Sequence, residues 1–176
     1  MHNVNVDALN ETIDKARRDP SAVAQRISFD GEWNVGDGPQ FRATIPIPDG
    51  DPVTFEADFP PPMGGTGSAP NPLAYCFWGG LACYAMTYAQ EAARQGIEVR
   101  ALRARAEARV DQSRALGVSD NAPVERIDWQ LEVDAGAPAE RLQEIKRIAD
   151  EHCPGVYCVA NPIELHTHLT ITADGA

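Results

Sequence analysis

The sequence has no excess of positive charge, no basic leader followed by an apolar stretch, no apolar run long enough to cross a bilayer, and no closely spaced cysteine pair. Each absence removes a class of function. A formal net charge of −11 repels phosphate backbones and anionic membrane surfaces, so no nucleic-acid partner and no membrane partner are expected. The opening "MHNVNVDALNETIDKARRDP" carries no secretory pattern, so a cytoplasmic protein with free thiols rather than structural disulfides is expected. Leu73 to Ala89 is free of formal charge but contains two adjacent glycines and falls short of the roughly 20 residues a membrane span needs. A helix buried in a core or between subunits is the expectation there. The spacings C-x6-C and C-x4-C lack the close pairs of structural zinc sites, so neither a metal nor a cofactor is expected.

There is also no internal repeat and no low-complexity tail. With 176 residues, 43% of them hydrophobic and 23% charged, the chain is expected to form one domain over residues 1–176. Residues 1–20 hold an amphipathic helix from about Val4 to Arg18, with Val6, Leu9, Ile13 and Ala16 on one stripe, ending before Pro20. Residues 27–59 hold three strands, "ISFDGEWNV", "QFRATIPI" and "VTFEADF", separated by the turns "GDGP" and "PDGD". Residues 60–72, "PPPMGGTGSAPNP", break the chain with prolines and glycines. Asn71 is the expected N-cap and Pro72 the first position of a long helix that Gly96 stops.

The remainder, within residues 73–172, alternates sharply. Ala104, Ala106, Ala108 and Val110 interleave with Arg103, Arg105, Glu107 and Arg109; Ile127, Trp129, Leu131 and Val133 interleave with charged or polar neighbours. Two half-buried strands are predicted. The small alanine face requires something bulky against it, and the long aromatic helix is the candidate. A helix from about Pro138 to His152 and a last strand, "IELHTHLTI", complete an α+β order: helix, three strands, long helix, two strands, helix, strand.

The four cysteines divide between the long helix and the segment "EHCPGVYCVANP". Cys76 and Cys83, two turns apart on a regular helix, are separated by roughly 10.5 Å, too far for a disulfide, whose Cα atoms lie within about 4.4–6.8 Å. Cys153 and Cys158 are also too far apart on a helix to pair. Any bridge therefore joins the long helix to the 153–158 segment. Cys153 precedes Pro154, which makes it a helix N-cap where free amides favour a thiolate, and hence a reactive or resolving thiol. The alternative is that the cysteines act as small buried hydrophobes. His166 and His168 share one face of the last strand, a pattern that serves an exposed sheet face as well as half a metal site.

The segments "GGTGSAPNPLAYCFWGGLACYAMTYAQEAARQGIEV" and "ERLQEIKRIADEHCPG" resemble the OsmC-like family, which includes the organic hydroperoxide resistance proteins. The resemblance spans about Ile27 to Ile171, with its specific motifs in those two places. It implies the OsmC-like fold: antiparallel sheets packed around a long central helix in an intertwined homodimer, with sites at the subunit interface. It also implies a thiol-dependent peroxidase that reduces organic hydroperoxides in oxidative-stress protection, with an external dithiol as reductant. Carried over by position, Cys83 is the peroxidatic cysteine and Cys153 the resolving one. A positive neighbour is expected from the early strands, Arg42 first and Arg26 second. Leu73 stands where peroxidase members commonly have Glu after "NP", so the usual partner of that arginine is missing. A packed dimer also accounts for Gly79 and Gly80, since each mid-helix glycine costs about 1 kcal/mol relative to alanine. Two other roles fit the same residues. One is a non-catalytic dimer that binds a small apolar or thiol-reactive ligand among Tyr75, Phe77, Trp78, Tyr84 and Tyr88. The other is a structural member whose thiols are inert.

Overall fold

Asn71 starts the central element. Its side-chain oxygen accepts the Leu73 N–H at 2.9 Å, and Pro72 occupies the first helical position, where no N–H is needed. From there α2 runs over Pro72–Arg94 and ends where Gly96, at φ +71°, turns the chain with its N–H on the Ala93 carbonyl. The computed structural model that shows this describes residues 3–172; residues 1, 2 and 173–176 lie outside the described residues.

In chain order the elements are α1 (Val6–Arg18), β1 (Asp30–Trp33), β2 (Phe41–Ile45), β3 (Val53–Ala57), α2, β4 (Val99–Val110), β5 (Val124–Ala135), α3 (Ala139–His152) and α4 (Pro154–Ala160). The fold is α+β, as the element order predicts. The sheets are antiparallel: β1-β2-β3 in one, and the long β4–β5 hairpin in the other. α4, absent from the predicted order, is a short helix that starts at the Cys153-Pro154 step, where the sequence predicts a helix N-cap. Among the described residues no helix is long and apolar enough to cross a membrane.

The core is built by α2, α3 and the hairpin. Tyr84, Tyr88, Ala92, Ile145, Ala149 and Cys153 are buried, and Leu102, Trp129, Leu131, Val133 and Leu142 pack against them. α2 packs against β4, whose Ala106 and Ala108 are half-buried while Ala104 stays exposed. Tyr84 and Trp129 lie with their rings 5.9 Å apart. The Gly80 position explains one of the two mid-helix glycines. A Cβ there would stand 2.6 Å from the Trp129 ring. Gly79 has nothing within 4 Å of a Cβ in this chain.

The three-stranded sheet meets α2 through one aromatic, Phe55, which contacts Tyr75 edge-on at 5.5 Å and Trp78 at 6.4 Å. The Tyr75 hydroxyl donates to the Glu56 carbonyl at 2.8 Å. The loop between β3 and α2 is held by Asp58. One carboxylate oxygen accepts the Thr66 and Ser68 amides, at 3.2 and 2.9 Å, and both hydroxyls, at 2.6 and 2.8 Å. These donors stabilise the charged form and hold the Asp58 pKa well below the usual carboxylate range. Gly65 is required in this clasp, because a Cβ would fall 2.0 Å from the Phe59 carbonyl oxygen.

The predicted last strand does not form within this chain. Residues 162–172 have no helix or strand assignment, and Ile163, Leu165, Leu169 and Ile171 are exposed. A strand needs a neighbouring edge to take its N–H and C=O groups, and none pairs with this segment. His166 meets Glu164 at 3.1 Å. No cluster of metal-ligating side chains occurs among the described residues.

Candidate thiol site

Two glycine contacts bring the remote halves of the chain together. Gly155, in the first turn of α4, lies so close to α2 that a Cβ on it would stand 3.0 Å from both the Cys83 Cβ and the Gly80 carbonyl oxygen. A side chain there would force α2 or α4 to give way by a few tenths of an ångström. The sequence signal was present in "CPG", although its glycine attracts no attention beside the cysteine and proline.

The crossing sets Cys83 beside Cys153. Cys83 is half-buried on α2; Cys153, at the junction of α3 and α4, is 1% exposed. The two thiols lie close enough to act on each other's charge, although seventy residues of sequence separate them. The Gly155 amide lies beside the Cys83 sulfur and favours its charged form. Burial is the largest influence on Cys83 and pushes its pKa up from the ordinary cysteine value. The Gly155 amide opposes this, while Cys153 and Cys158 add to the rise. None of the groups acting most on Cys83 is a cation.

Arg42 lies elsewhere in the chain. It sits on β2, opposite Glu32 on one side and Glu56 on the other, and its Nε is buried with no partner among the described residues. Among the described residues no ion pair or hydrogen bond joins it to Cys83. Arg26 is exposed on the segment before β1. Leu73 is half-buried in the first turn of α2, where it presents no carboxylate.

A second group of polar residues borders the thiols, and sequence reasoning did not find it. The buried Tyr84 hydroxyl donates to Asp150 at 2.6 Å, and Lys146 pairs with the other carboxylate oxygen of Asp150 at 2.7 Å. Burial, followed by the Asp150 carboxylate, keeps Tyr84 protonated well above the ordinary phenol range. Tyr84, Trp129, Ile127, Val156 and Val159 line an open cleft of about 230 Å³ that Lys146 and Asp150 also border. Tyr84 reads in sequence as one more core aromatic. Its partner Asp150 lies sixty-six residues away, so no local spacing reveals the pair.

The arrangement suits dithiol chemistry. A sulfenic acid on Cys83 would have a thiol within reach to condense with, releasing water and leaving a disulfide.

Comparisons with known proteins bear on the family and the fold. Residues 65–168, more than half of the chain, match the family described as OsmC-like protein. No curated protein matches the chain in sequence. Among solved structures, an OsmC-like protein from Mycoplasma pneumoniae superposes with a TM-score of 0.58 at 17% identity, covering 78% of this chain and 89% of that one. An organic hydroperoxide resistance protein OsmC from Legionella pneumophila gives a TM-score of 0.52 at 17% identity over 77% and 91% of the two chains. A putative osmotic stress induced and detoxification response protein from Psychrobacter arcticus gives 0.55 at 15% identity over 77% and 90%.

Proposed function

Because this chain belongs to the OsmC-like family, we propose that it is a thiol-dependent peroxidase that reduces organic hydroperoxides and serves in oxidative-stress protection. The single observation that carries the reading is the meeting of Cys83 and Cys153 across α2 and α4. In this reading the Cys83 thiolate attacks the terminal peroxide oxygen, the O–O bond breaks, and an alcohol leaves. Cys83 becomes a sulfenic acid. The Cys153 thiol condenses with it, water departs, and an external dithiol returns both sulfurs to thiols. The structural neighbour from Legionella is named for hydroperoxide resistance, which is consistent with this chemistry.

The chain works as a homodimer in this reading. Ile27, Phe29, Trp33 and Val35 around β1, and Ile163, Leu165, Leu169 and Ile171 in the tail, are exposed large hydrophobics that a second copy would cover. The same association accounts for Gly79, whose lack of a Cβ has no purpose in one chain. It also gives Arg42 a role: the half-buried guanidinium would supply positive charge to a thiolate that has no cation of its own. A positive charge there would lower the Cys83 pKa against the effect of burial.

The test is consumption of cumene hydroperoxide with dithiothreitol as reductant. Cys83→Ser is expected to fall to the rate of dithiothreitol alone, and Cys153→Ser to lose turnover while still reacting once. A Cys83→Ser protein as fast as the parent overturns the proposal.

A second reading has its own observation. The thiol of Cys83 is raised by burial, Leu73 replaces the expected carboxylate, and the cleft beside Tyr84 and Trp129 is largely apolar. A dimer that binds a small apolar or thiol-reactive ligand without turnover would show peroxide consumption no faster than free glutathione, together with a ligand-dependent rise in melting temperature.

A further inference from the structure

α4 carries two thiols in opposite surroundings. Cys153 at its start is closed off from solvent, and Cys158, five residues on, is exposed. Between them Gly155 lies against Cys83 and Gly80, and Val159, one turn further, comes within 3.7 Å of a Cβ built on Gly80. α4 therefore crosses α2 along the stretch from Gly80 to Cys83, with Cys158 on the turn between those contacts. A charge on Cys158 acts on Cys83, so the third sulfur stands within electrostatic range of the first.

A disulfide between Cys83 and Cys153 raises a problem of access. Exchange requires a thiolate to attack one sulfur of the bond, and its rate depends on reaching that sulfur. The Cys153 sulfur is buried, and Cys83 lies on the inner helix beneath α4. Cys153 is closed to an incoming dithiol and Cys83 is half-covered, whereas Cys158 is open to it.

We propose that Cys158 is the exit thiol of this pair, carrying the oxidation from the buried disulfide to the surface. The inference rests on the dithiol reading of Cys83 and Cys153. The Cys158 thiol gives up its proton and its sulfur attacks Sγ of Cys83. The Cys83–Cys153 bond breaks, a Cys83–Cys158 bond forms, and Cys153 leaves as a thiolate that takes up a proton. No oxidant is consumed, because one disulfide replaces another. An external dithiol, the reductant class, then attacks the exposed Sγ of Cys158. It closes to its own disulfide and returns Cys83 and Cys158 as thiols.

Attack on Cys153 instead would join residues five apart in α4. On a regular helix their Cα atoms are roughly 8.6 Å apart, beyond the disulfide range of about 4.4–6.8 Å. A bond to Cys83 joins two helices already in contact.

The test uses the full chain oxidised with diamide, which forms disulfides without peroxide chemistry. The sample is quenched by alkylation and cut with chymotrypsin, whose cleavage after Tyr157 separates Cys153 from Cys158. A peptide linking Cys83 to Cys158 is expected in the parent. Cys158→Ser is expected to hold only the Cys83–Cys153 link and to be reduced by dithiothreitol at least tenfold more slowly. Cys76→Ser, which lies outside the cluster, keeps the parental reduction rate. Two outcomes overturn the inference: Cys158 alkylated in full in every oxidised sample, or Cys158→Ser reduced as fast as the parent. A protein that forms the Cys83–Cys158 link yet does not consume hydroperoxide defeats the peroxidase reading and upholds the exit thiol.

Discussion

The helical half and the three-stranded half of this chain solve the problem of burial differently. α2, α3 and the β4–β5 hairpin enclose Tyr88, Ala92, Ile145 and Ala149 at 2% exposure or less. The β1–β3 sheet buries only alanines, Ala43 and Ala57, and leaves Trp33 60% and Val35 96% exposed. One half carries its own core. The other has a sheet, a polar clasp at Asp58 and one aromatic anchor at Phe55, with its large apolar side chains still in water. The thiols lie in the first half and Arg42 in the second. The proposed second copy is what would complete the sheet and bring a cation to the sulfur.

The largest effect that sharpens this contrast belongs to the self-contained core. Ile145→Ala should lose about 2–5 kcal/mol in urea denaturation, because a fully buried side chain leaves a cavity among packed helices. Trp33→Ala breaks or upholds the other side of the comparison. Covered by a second copy, it should cost about 1.5–3 kcal/mol and shift sedimentation towards monomer. A change under about 0.5 kcal/mol with no shift in mass would mean that the sheet stands alone.

The glycine pair divides the same way. Gly80→Ala meets the Trp129 ring and should destabilise by about 1–3 kcal/mol. Gly79→Ala faces open space in one chain, where alanine would add about 1 kcal/mol of helix stability. Loss of stability there, with weaker self-association, is the outcome that a close second helix requires. Tyr84→Phe should cost about 1 kcal/mol by removing the hydrogen bond to Asp150, measured in the same denaturation series.

The smallest effect is the pH dependence of the Asp58 clasp. Its folded pKa is depressed, so its contribution is present in full above the usual aspartate value of 3.8. It is lost as pH falls below that value towards the lower folded one. Asp58→Asn should lower stability at neutral pH and flatten the acid side of the stability profile.

Sequence patterning carried most of the fold. Asn71-Pro72 and Gly96 bound α2, the alternating runs became β2, β3, β4 and β5, and "CP" marked the start of α4. Each is a local signal, decided within a few residues by capping, proline geometry or period. The parts that were not legible depend on remote partners. "IELHTHLTI" has the alternation of a strand but no edge to pair with in this chain, so periodicity alone could not place it. Tyr84 and Asp150 meet across two helices, and Gly155 matters only because α2 lies 3.0 Å from its missing side chain. The pairing of Cys83 with Cys153 came from family resemblance, since spacing only assigned any bridge to the two segments.

The most direct measurement is a count of free thiols after one equivalent of cumene hydroperoxide under denaturing quench. The parent begins with four cysteines. The account predicts two left, with the peroxide converted to alcohol, and no such loss of a thiol pair in Cys83→Ser. Four thiols remaining beside unconsumed peroxide would contradict it.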